Sequence, residues 1–146
     1  MPNPIDVKAL MSELGSSMTL MRTMWSREAD KLGIGLGGLA VLQAVSRRPE
    51  IRATEICHVL KFDKAVVSRK ITQLRELNFI EATPSAEDGR VFLLTLTETG
   101  HREITQLRET LAEYYSEKLA DWSQNDIDTL RTLVRRFNAT AFEPVG

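Results

Sequence analysis

Five basic side chains lie within the fifteen residues from Lys61 to Arg75, where Asp63 is the only acid. This segment therefore carries a local charge of +4, whereas the whole chain of 146 residues has a formal net charge of −1. Lysine and arginine bind the phosphates of nucleic acids, and each neutralised phosphate makes the affinity more dependent on salt. Because the chain as a whole is not basic, any nucleic-acid site is expected to be a local patch.

The basic cluster falls on a predicted helix that opens at Asp63, a good N-cap residue. Val67, Ile71 and Leu74 recur at helical spacing and form its apolar stripe. A charged outer face is also what any solvated amphipathic helix shows, so this helix alone favours DNA binding and an ordinary surface helix equally. The side away from the stripe is polar and carries Lys64, Ala65, Ser68, Arg69, Thr72 and Glu76.

Another short helix precedes this one. It is predicted from near Ala53, and the tight connection Lys61-Phe62-Asp63 joins the two helices. Two short helices joined by a turn of this length are typical of a helix-turn-helix, in which the second helix reads the DNA. The apolar stripe of the first helix consists of Ile56, Val59 and Leu60.

A β-hairpin is predicted directly after the second helix. Asn78 can adopt the left-handed conformation that closes a helix, and β-prone stretches follow at 79–83 and 91–96. The polar residues 84–90 form the loop between them. The segment from about Thr54 to Leu96 is therefore predicted to be a winged helix-turn-helix.

Two residues of opposite charge lie in that loop. Asp88 and Arg90 are separated by Gly89, so on a hairpin both can lie on one side and pair. An arginine at a hairpin tip can enter the minor groove of DNA, where the negative potential is concentrated. The alternative is an ordinary turn with an exposed ion pair, which would contribute only about 0 to 1 kcal/mol.

Helices are also predicted on both sides of the winged segment. A long one runs from Ile5 to about Lys31, and a glycine-rich break at 33–38 leads to a short helix that begins at Leu39. A long amphipathic helix is predicted from Thr97 to about Trp122. The first helix carries its apolar residues at spacings of three and four, namely Val7, Leu10, Met11, Leu14, Met18, Met21 and Trp25.

A last helix opens after the cap pattern Ser123-x-x-Asp126. The predicted fold class is mainly α with a small β-hairpin wing, flanked by long N- and C-terminal dimerisation helices. The chain is predicted to have three parts. Residues 1–34 form the N-terminal dimerisation helix, residues 35–98 the winged helix-turn-helix DNA-binding domain, and residues 99–146 the C-terminal dimerisation helices. The small winged domain cannot cover the apolar stripes at both ends, which predicts a homodimer. The stripe of the last helix consists of Ile127, Leu130, Val134, Phe137 and Ala141.

A set of short patterns extends through the winged segment and into the next helix. They are Asp63-Lys64, Val67-Ser68-Arg69, Leu74-x-x-Leu77, Asp88-x-Arg90 and Leu96-Thr97-x-x-Gly100. With these patterns the stretch 36–100 resembles the MarR family of bacterial transcription regulators, and the flanking helices extend the resemblance over nearly the whole chain.

The resemblance implies that Arg90 contacts the minor groove, that Asp88 orients it, and that Ser68 and Arg69 lie at the major groove. It implies a dimeric, sequence-specific regulator on a pseudo-palindromic DNA operator, expected to be a repressor that a small-molecule effector releases. The full set of expected DNA-binding residues is Lys64, Ala65, Val66, Ser68, Arg69, Lys70, Gln73, Asp88 and Arg90.

The sequence also departs from the family pattern. Ala65 and Val66 stand where small hydroxyl residues are common in the family, and Gly89 replaces a frequent second arginine of the wing. Apolar contacts to thymine methyl groups can replace the lost hydrogen bonds. Together with the near-neutral charge, these departures keep one alternative open, a winged-helix protein-interaction module with weak or lost DNA binding.

No enzyme, cofactor or metal site is expected. Gly33, Gly35 and Gly38 match the dinucleotide fingerprint G-x-G-x-x-G, but a helix precedes them where that motif needs a strand. The two histidines form no spacing typical of a zinc site or a catalytic triad. The single cysteine, Cys57, excludes an intrachain disulfide and is expected to pack in the core, with oxidant sensing as the alternative.

Two further expectations concern ligands and location. Met21 and Trp25 are candidates for lining an effector pocket, although a stripe of this kind is more often core or dimer interface. The N-terminus has no signal-peptide pattern and no apolar run is long enough to cross a bilayer, which predicts a cytoplasmic protein with no membrane partner.

Overall fold

The computed structural model describes residues 1–141, and these form six helices and one β-hairpin. This confirms the predicted fold class. The elements in chain order are α1 (Pro4–Lys31), α2 (Gly35–Arg47), α3 (Ala53–Leu60), α4 (Lys64–Glu76), β1 (Ile80–Pro84), β2 (Phe92–Leu96), α5 (Glu98–Lys118) and α6 (Gln124–Ala141).

The chain divides into two compact units, and the boundary falls inside α5, between Glu109 and Thr110. The first unit contains α1 to β2 and the start of α5. The second begins with the end of α5 and continues into α6. The three-part division by role stays a prediction.

The core of the winged segment lies between α2, α3 and α4, with the hairpin packed against them. Val67 and Leu74 are the buried residues of α4, and they meet a core to which α2 contributes Leu42 and α3 contributes Ile56. Fully burying an aliphatic side chain of this size stabilises a fold by about 1.5 to 3 kcal/mol. The apolar stripe of α4 is therefore buried in the core, and the polar side of this helix faces outward.

The wing is an antiparallel pair whose register runs from Ile80 opposite Leu96 to Pro84 opposite Phe92. Both predicted strands were placed one residue early at their starts, and Pro84 belongs to β1 rather than to the loop, at a strand end where a missing N–H is tolerated. Ile51 also forms an isolated antiparallel bridge with Leu94, whose N–H donates to the Ile51 carbonyl at 3.0 Å. A single bridging residue has no periodicity, so the sequence pattern did not predict this bridge.

The joint between wing and α5 explains the pattern Leu-Thr-x-x-Gly. Asn78 has the predicted left-handed conformation, with φ of 59°, and its carbonyl accepts the Thr97 hydroxyl proton. The Thr97 oxygen in turn accepts from the Gly100 N–H at 3.0 Å. A Cβ on Gly100 would lie 1.9 Å from the Phe79 carbonyl oxygen, so only glycine lets α5 start so close to the base of the wing.

The glycine run between α1 and α2 is a helix-to-helix turn. Gly33 and Gly35 have φ of 73° and 63°, which favours glycine. Helix α2 begins at Gly35, four residues before the predicted start at Leu39, because the run continues as helical backbone. A Cβ on Gly38 would lie 2.8 Å from the Cβ of Ile34, so the absence of a side chain there permits close packing.

The C-terminal helices differ from the prediction at one end only. Helix α5 ends at Lys118 and not near Trp122, because the chain turns there, with the Trp122 N–H donating to the Leu119 carbonyl at 2.9 Å. The predicted cap of α6 is confirmed, since the Asp126 N–H donates to Ser123 Oγ at 3.1 Å and the Ser123 N–H donates to Asp126 Oδ2 at 3.2 Å. The side chain of Ala141 lies outside the described residues.

Candidate nucleic-acid interface

The outer face of α4 presents the polar residues that the sequence predicted. Lys64, Ala65, Ser68 and Arg69 are exposed and share one side of the first two turns. Val66 is half-buried at the edge of this face. The exposed side chains offer two cations, a hydroxyl and a methyl group, which suit phosphates, base edges and thymine methyl groups respectively.

Two of the predicted DNA-binding residues lie instead on the flank of α4 that faces α2. Lys70 and Gln73 are both half-buried. The stem of Lys70 lies beside α2, since a Cβ on Gly37 would be 3.2 Å from Lys70 Cε. Gln73 Nε2 donates to the Gly33 carbonyl at 2.7 Å. The structure therefore does not bring these two side chains together with the outer face.

The turn that starts α4 is built by backbone geometry. Lys61 adopts the left-handed conformation with φ of 55°, and Asp63 is extended at the predicted N-cap position. The Asp63 carbonyl accepts the Val67 N–H at 3.0 Å, but its side chain makes no capping hydrogen bond. The backbone donors at a helix N-terminus are suited to a phosphate oxygen.

At the wing tip, Asp88 shapes the turn more than it holds the guanidinium of Arg90. Asp88 Oδ1 accepts the backbone N–H of Arg90 at 3.0 Å, whereas Arg90 Nε lies 4.0 Å from the same oxygen. The Arg90 side chain is 96% exposed. An ion pair with this exposure holds its partners weakly, so the guanidinium extends into solvent and is able to enter a groove.

Ser85 supports the wing loop and was not among the predicted residues. It is buried, its N–H donates to the Val91 carbonyl at 2.7 Å, and its Oγ accepts the Glu87 N–H at 3.3 Å. A serine that opens a polar loop is a recognised turn-forming signal. That signal could have identified Ser85 as the residue that closes the base of the loop.

A groove of about 570 Å³ lies between α1 and α2 in the first unit, and Met21 and Trp25 are among the residues that line it. Its walls are mostly apolar, and two arginine side chains also line it. Cys57 is half-buried on α3, less covered than the predicted core position. The side chains lining the groove include Met18, Met21, Arg22, Trp25, Leu39 and Arg47.

Within residues 1–141, no group of histidine, cysteine, aspartate and glutamate side chains could hold a metal ion. None of the helices over the same range combines the length and the apolar character that a membrane crossing needs.

Comparison with known proteins agrees with this geometry. Residues 33–91, which include the helix-turn-helix and most of the wing, match the model of the MarR family. That segment is similar to the MarR family. The matched range contains all nine predicted DNA-binding residues of α4 and the wing. The MarR family consists of transcription regulators with a helix-turn-helix that binds DNA.

Individual transcriptional regulators extend the similarity beyond the segment. The HTH-type transcriptional regulator BilQ of Clostridium symbiosum is 25% identical over 113 residues, which cover 77% of this chain and 78% of BilQ. A MarR transcriptional regulator from Methanosarcina mazei has the same fold with a TM-score of 0.70 at 17% identity, covering 90% of this chain and 95% of that one. Wild-type MarR from E. coli gives a TM-score of 0.69 at 20% identity, and the match covers 86% of this chain and 93% of that one.

Proposed function

We propose that this MarR-like chain is a cytoplasmic, homodimeric repressor that binds a pseudo-palindromic operator through two winged segments. The observation that carries the proposal is the exposure of Lys64, Arg69 and Arg90 on a winged helix-turn-helix in a chain of net charge −1. Exposed cations on the elements that would face DNA are what a local DNA site requires. This role needs no catalytic group.

Each exposed residue has a distinct part in the proposed complex. Ser68 and Arg69 lie at the major groove, where arginine can bind guanine through two parallel hydrogen bonds. Lys64 contacts a phosphate at the start of α4, and the methyl group of Ala65 packs against thymine. Arg90 enters the neighbouring minor groove, and Asp88 sets the turn that aims it.

Dimerisation is supported by apolar residues that are left exposed on α1. Val7, Leu10 and Met11 are 38%, 49% and 51% exposed, and they lie on one stripe of this helix. A second copy of the chain is the proposed cover, since a two-fold pair buries the same stripe of both protomers and presents two recognition helices. In the second unit, α6 likewise exposes Leu130, Leu133 and Val134.

The groove between α1 and α2 is the proposed effector site. Met21 and Trp25 give it an apolar wall, and Arg22 and Arg47 favour a ligand with a negative group. We expect the aromatic sulfonate dye 1-anilinonaphthalene-8-sulfonate to quench the Trp25 fluorescence of a Trp122→Phe variant. Replacing Met21 with Glu should weaken this binding at least tenfold, because a carboxylate then repels the sulfonate. Unchanged dye affinity would exclude the groove as the ligand site.

A salt titration tests the proposed DNA contacts. The logarithm of the affinity for a duplex selected from random DNA should fall linearly with the logarithm of salt concentration, by about 0.9 for each neutralised phosphate. Lys64→Gln should lower that slope by about 1.8, since a dimer carries two copies. Lys8→Gln, an exposed lysine of α1 outside the cluster, serves as the control and should leave the slope unchanged. A wild-type protein with no salt slope would contradict the proposed function.

A further inference from the structure

The amide of Gln73 joins the recognition helix to the turn between α1 and α2. Its Nε2 donates to the Gly33 carbonyl at 2.7 Å, a hydrogen bond between residues forty positions apart. Its Oε1 lies on the same side, because a Cβ on Gly38 would be 3.9 Å from it. Both ends of this amide therefore face the helix turn, and neither is directed to the outer face of α4.

The acceptor of this hydrogen bond lies in the turn that joins α1 to α2. Helix α1 ends at Lys31 and α2 begins at Gly35, so Gly33 lies between the two helices with φ of 73°. Backbone groups at helix ends lack intrahelical partners and are satisfied by other groups. Gln73 supplies such a partner from α4, which fixes the turn against the recognition helix.

One turn earlier on α4, a second contact follows the same flank. Lys70 lies with its Cε 3.2 Å from the position a Cβ would take on Gly37, so the end of this side chain rests against the start of α2. The side-chain flank formed by Lys70 and Gln73 thus rests on the first turn of α2 and on the residues just before it. Gln73 is the member of this flank that makes a directional contact.

We infer that Gln73 is a positioning residue that couples the direction of α1 to the orientation of α4, and thereby sets the spacing of half-sites that the dimer accepts. This inference rests on the proposed function, because α1 belongs to the proposed dimer contact and α4 reads the DNA. Gln73 acts through the Gly33 carbonyl. It does not act through a base, although glutamine on a recognition helix can bind adenine.

The first experiment measures the coupling without DNA. Nitroxide labels are placed on Ser16→Cys in α1 and Glu76→Cys in α4, both exposed, in a Cys57→Ser background diluted with unlabelled protein. Double electron–electron resonance should give a broader distance distribution in Gln73→Met than in the protein that keeps Gln73. Methionine keeps the length of the side chain and loses the hydrogen-bond donor. Thr72→Ala, its neighbour on the exposed side, should leave the distribution unchanged. An unchanged distribution in Gln73→Met would overturn the inference.

The second experiment measures the consequence on DNA. Affinities are compared for a duplex selected by the wild-type protein and for the same half-sites moved apart by one base pair. We expect Gln73→Met to reduce the preference for the original spacing by about fivefold, the change that a hydrogen bond of about 1 kcal/mol corresponds to. Its salt slope should equal that of the wild type. Gln73→His, which retains a ring N–H donor, should recover part of the preference.

The outcomes separate the inference from the proposed function. A Gln73→Met protein that keeps the spacing preference but accepts any base at one operator position would show that Gln73 reads DNA, and the inference would be wrong. A wild-type protein that selects no duplex would contradict the proposed function, while the label distances would still decide whether Gln73 couples α1 to α4.

Discussion

Gly100→Ala is expected to lower the free energy of unfolding by about 3 kcal/mol. The new Cβ would lie 1.9 Å from the carbonyl oxygen and 2.9 Å from the carbonyl carbon of Phe79. Both are backbone atoms, so no side-chain rotation can relieve the clash. Either α5 or the base of the wing must move, which weakens the hydrogen bonds that Thr97 makes at this joint.

Urea unfolding followed by circular dichroism measures this effect, with Gly89→Ala as the matched control. A Cβ on Gly89 would meet nothing within 4 Å, and this glycine has no positive φ, so its replacement should change stability by less than about 0.5 kcal/mol. Equal stability of the two variants would mean that α5 does not start against the wing in the way described.

Arg90→Ala should weaken operator binding by about tenfold to a hundredfold, the usual range for losing a specific arginine contact. The side chain is 96% exposed and its distance to Asp88 Oδ1 is 4.0 Å, so folding loses little when it is removed. The free energy of unfolding and the oligomeric state of Arg90→Ala are therefore expected to match those of the wild type. Fluorescence anisotropy with a labelled operator measures the loss.

Arg27→Ala removes the same charge from an exposed position on α1 and provides the control for net charge. It should retain operator affinity to within about twofold, since an exposed charge away from the DNA is screened over about 10 Å at moderate salt. Arg90→Lys should fall between the wild type and Arg90→Ala, because lysine keeps the charge but lacks the planar donor group. Full affinity in Arg90→Ala would remove the wing from the mechanism.

The elements with a strong local signal were predictable from the sequence. The stripe of Val67 and Leu74 predicted both the existence of α4 and the side it buries, and the cap at Ser123 marked the start of α6. Asn78 marked the end of α4 through its tolerance of positive φ. The polar outer face with Ser68 and Arg69 followed directly from these assignments.

What the sequence could not predict depends on contacts between distant residues. The bridge of Ile51 to Leu94 involves one residue and shows no period. Gln73 belongs by type to a DNA-reading face, and only the position of the Gly33 carbonyl shows that its amide is engaged elsewhere. Gly100 could be identified as part of a pattern, but its reason, the approach of the Phe79 carbonyl, required the packed structure.

The most direct test of the account is a hydroxyl-radical footprint of the wild-type protein on a duplex selected from random DNA. The account predicts two protected half-sites related by two-fold symmetry, with centres about one helical turn, or 10 to 10.5 base pairs, apart. Protection should extend into the flanking minor grooves, where Arg90 is placed. A single asymmetric site, or uniform protection without regard to sequence, would contradict it.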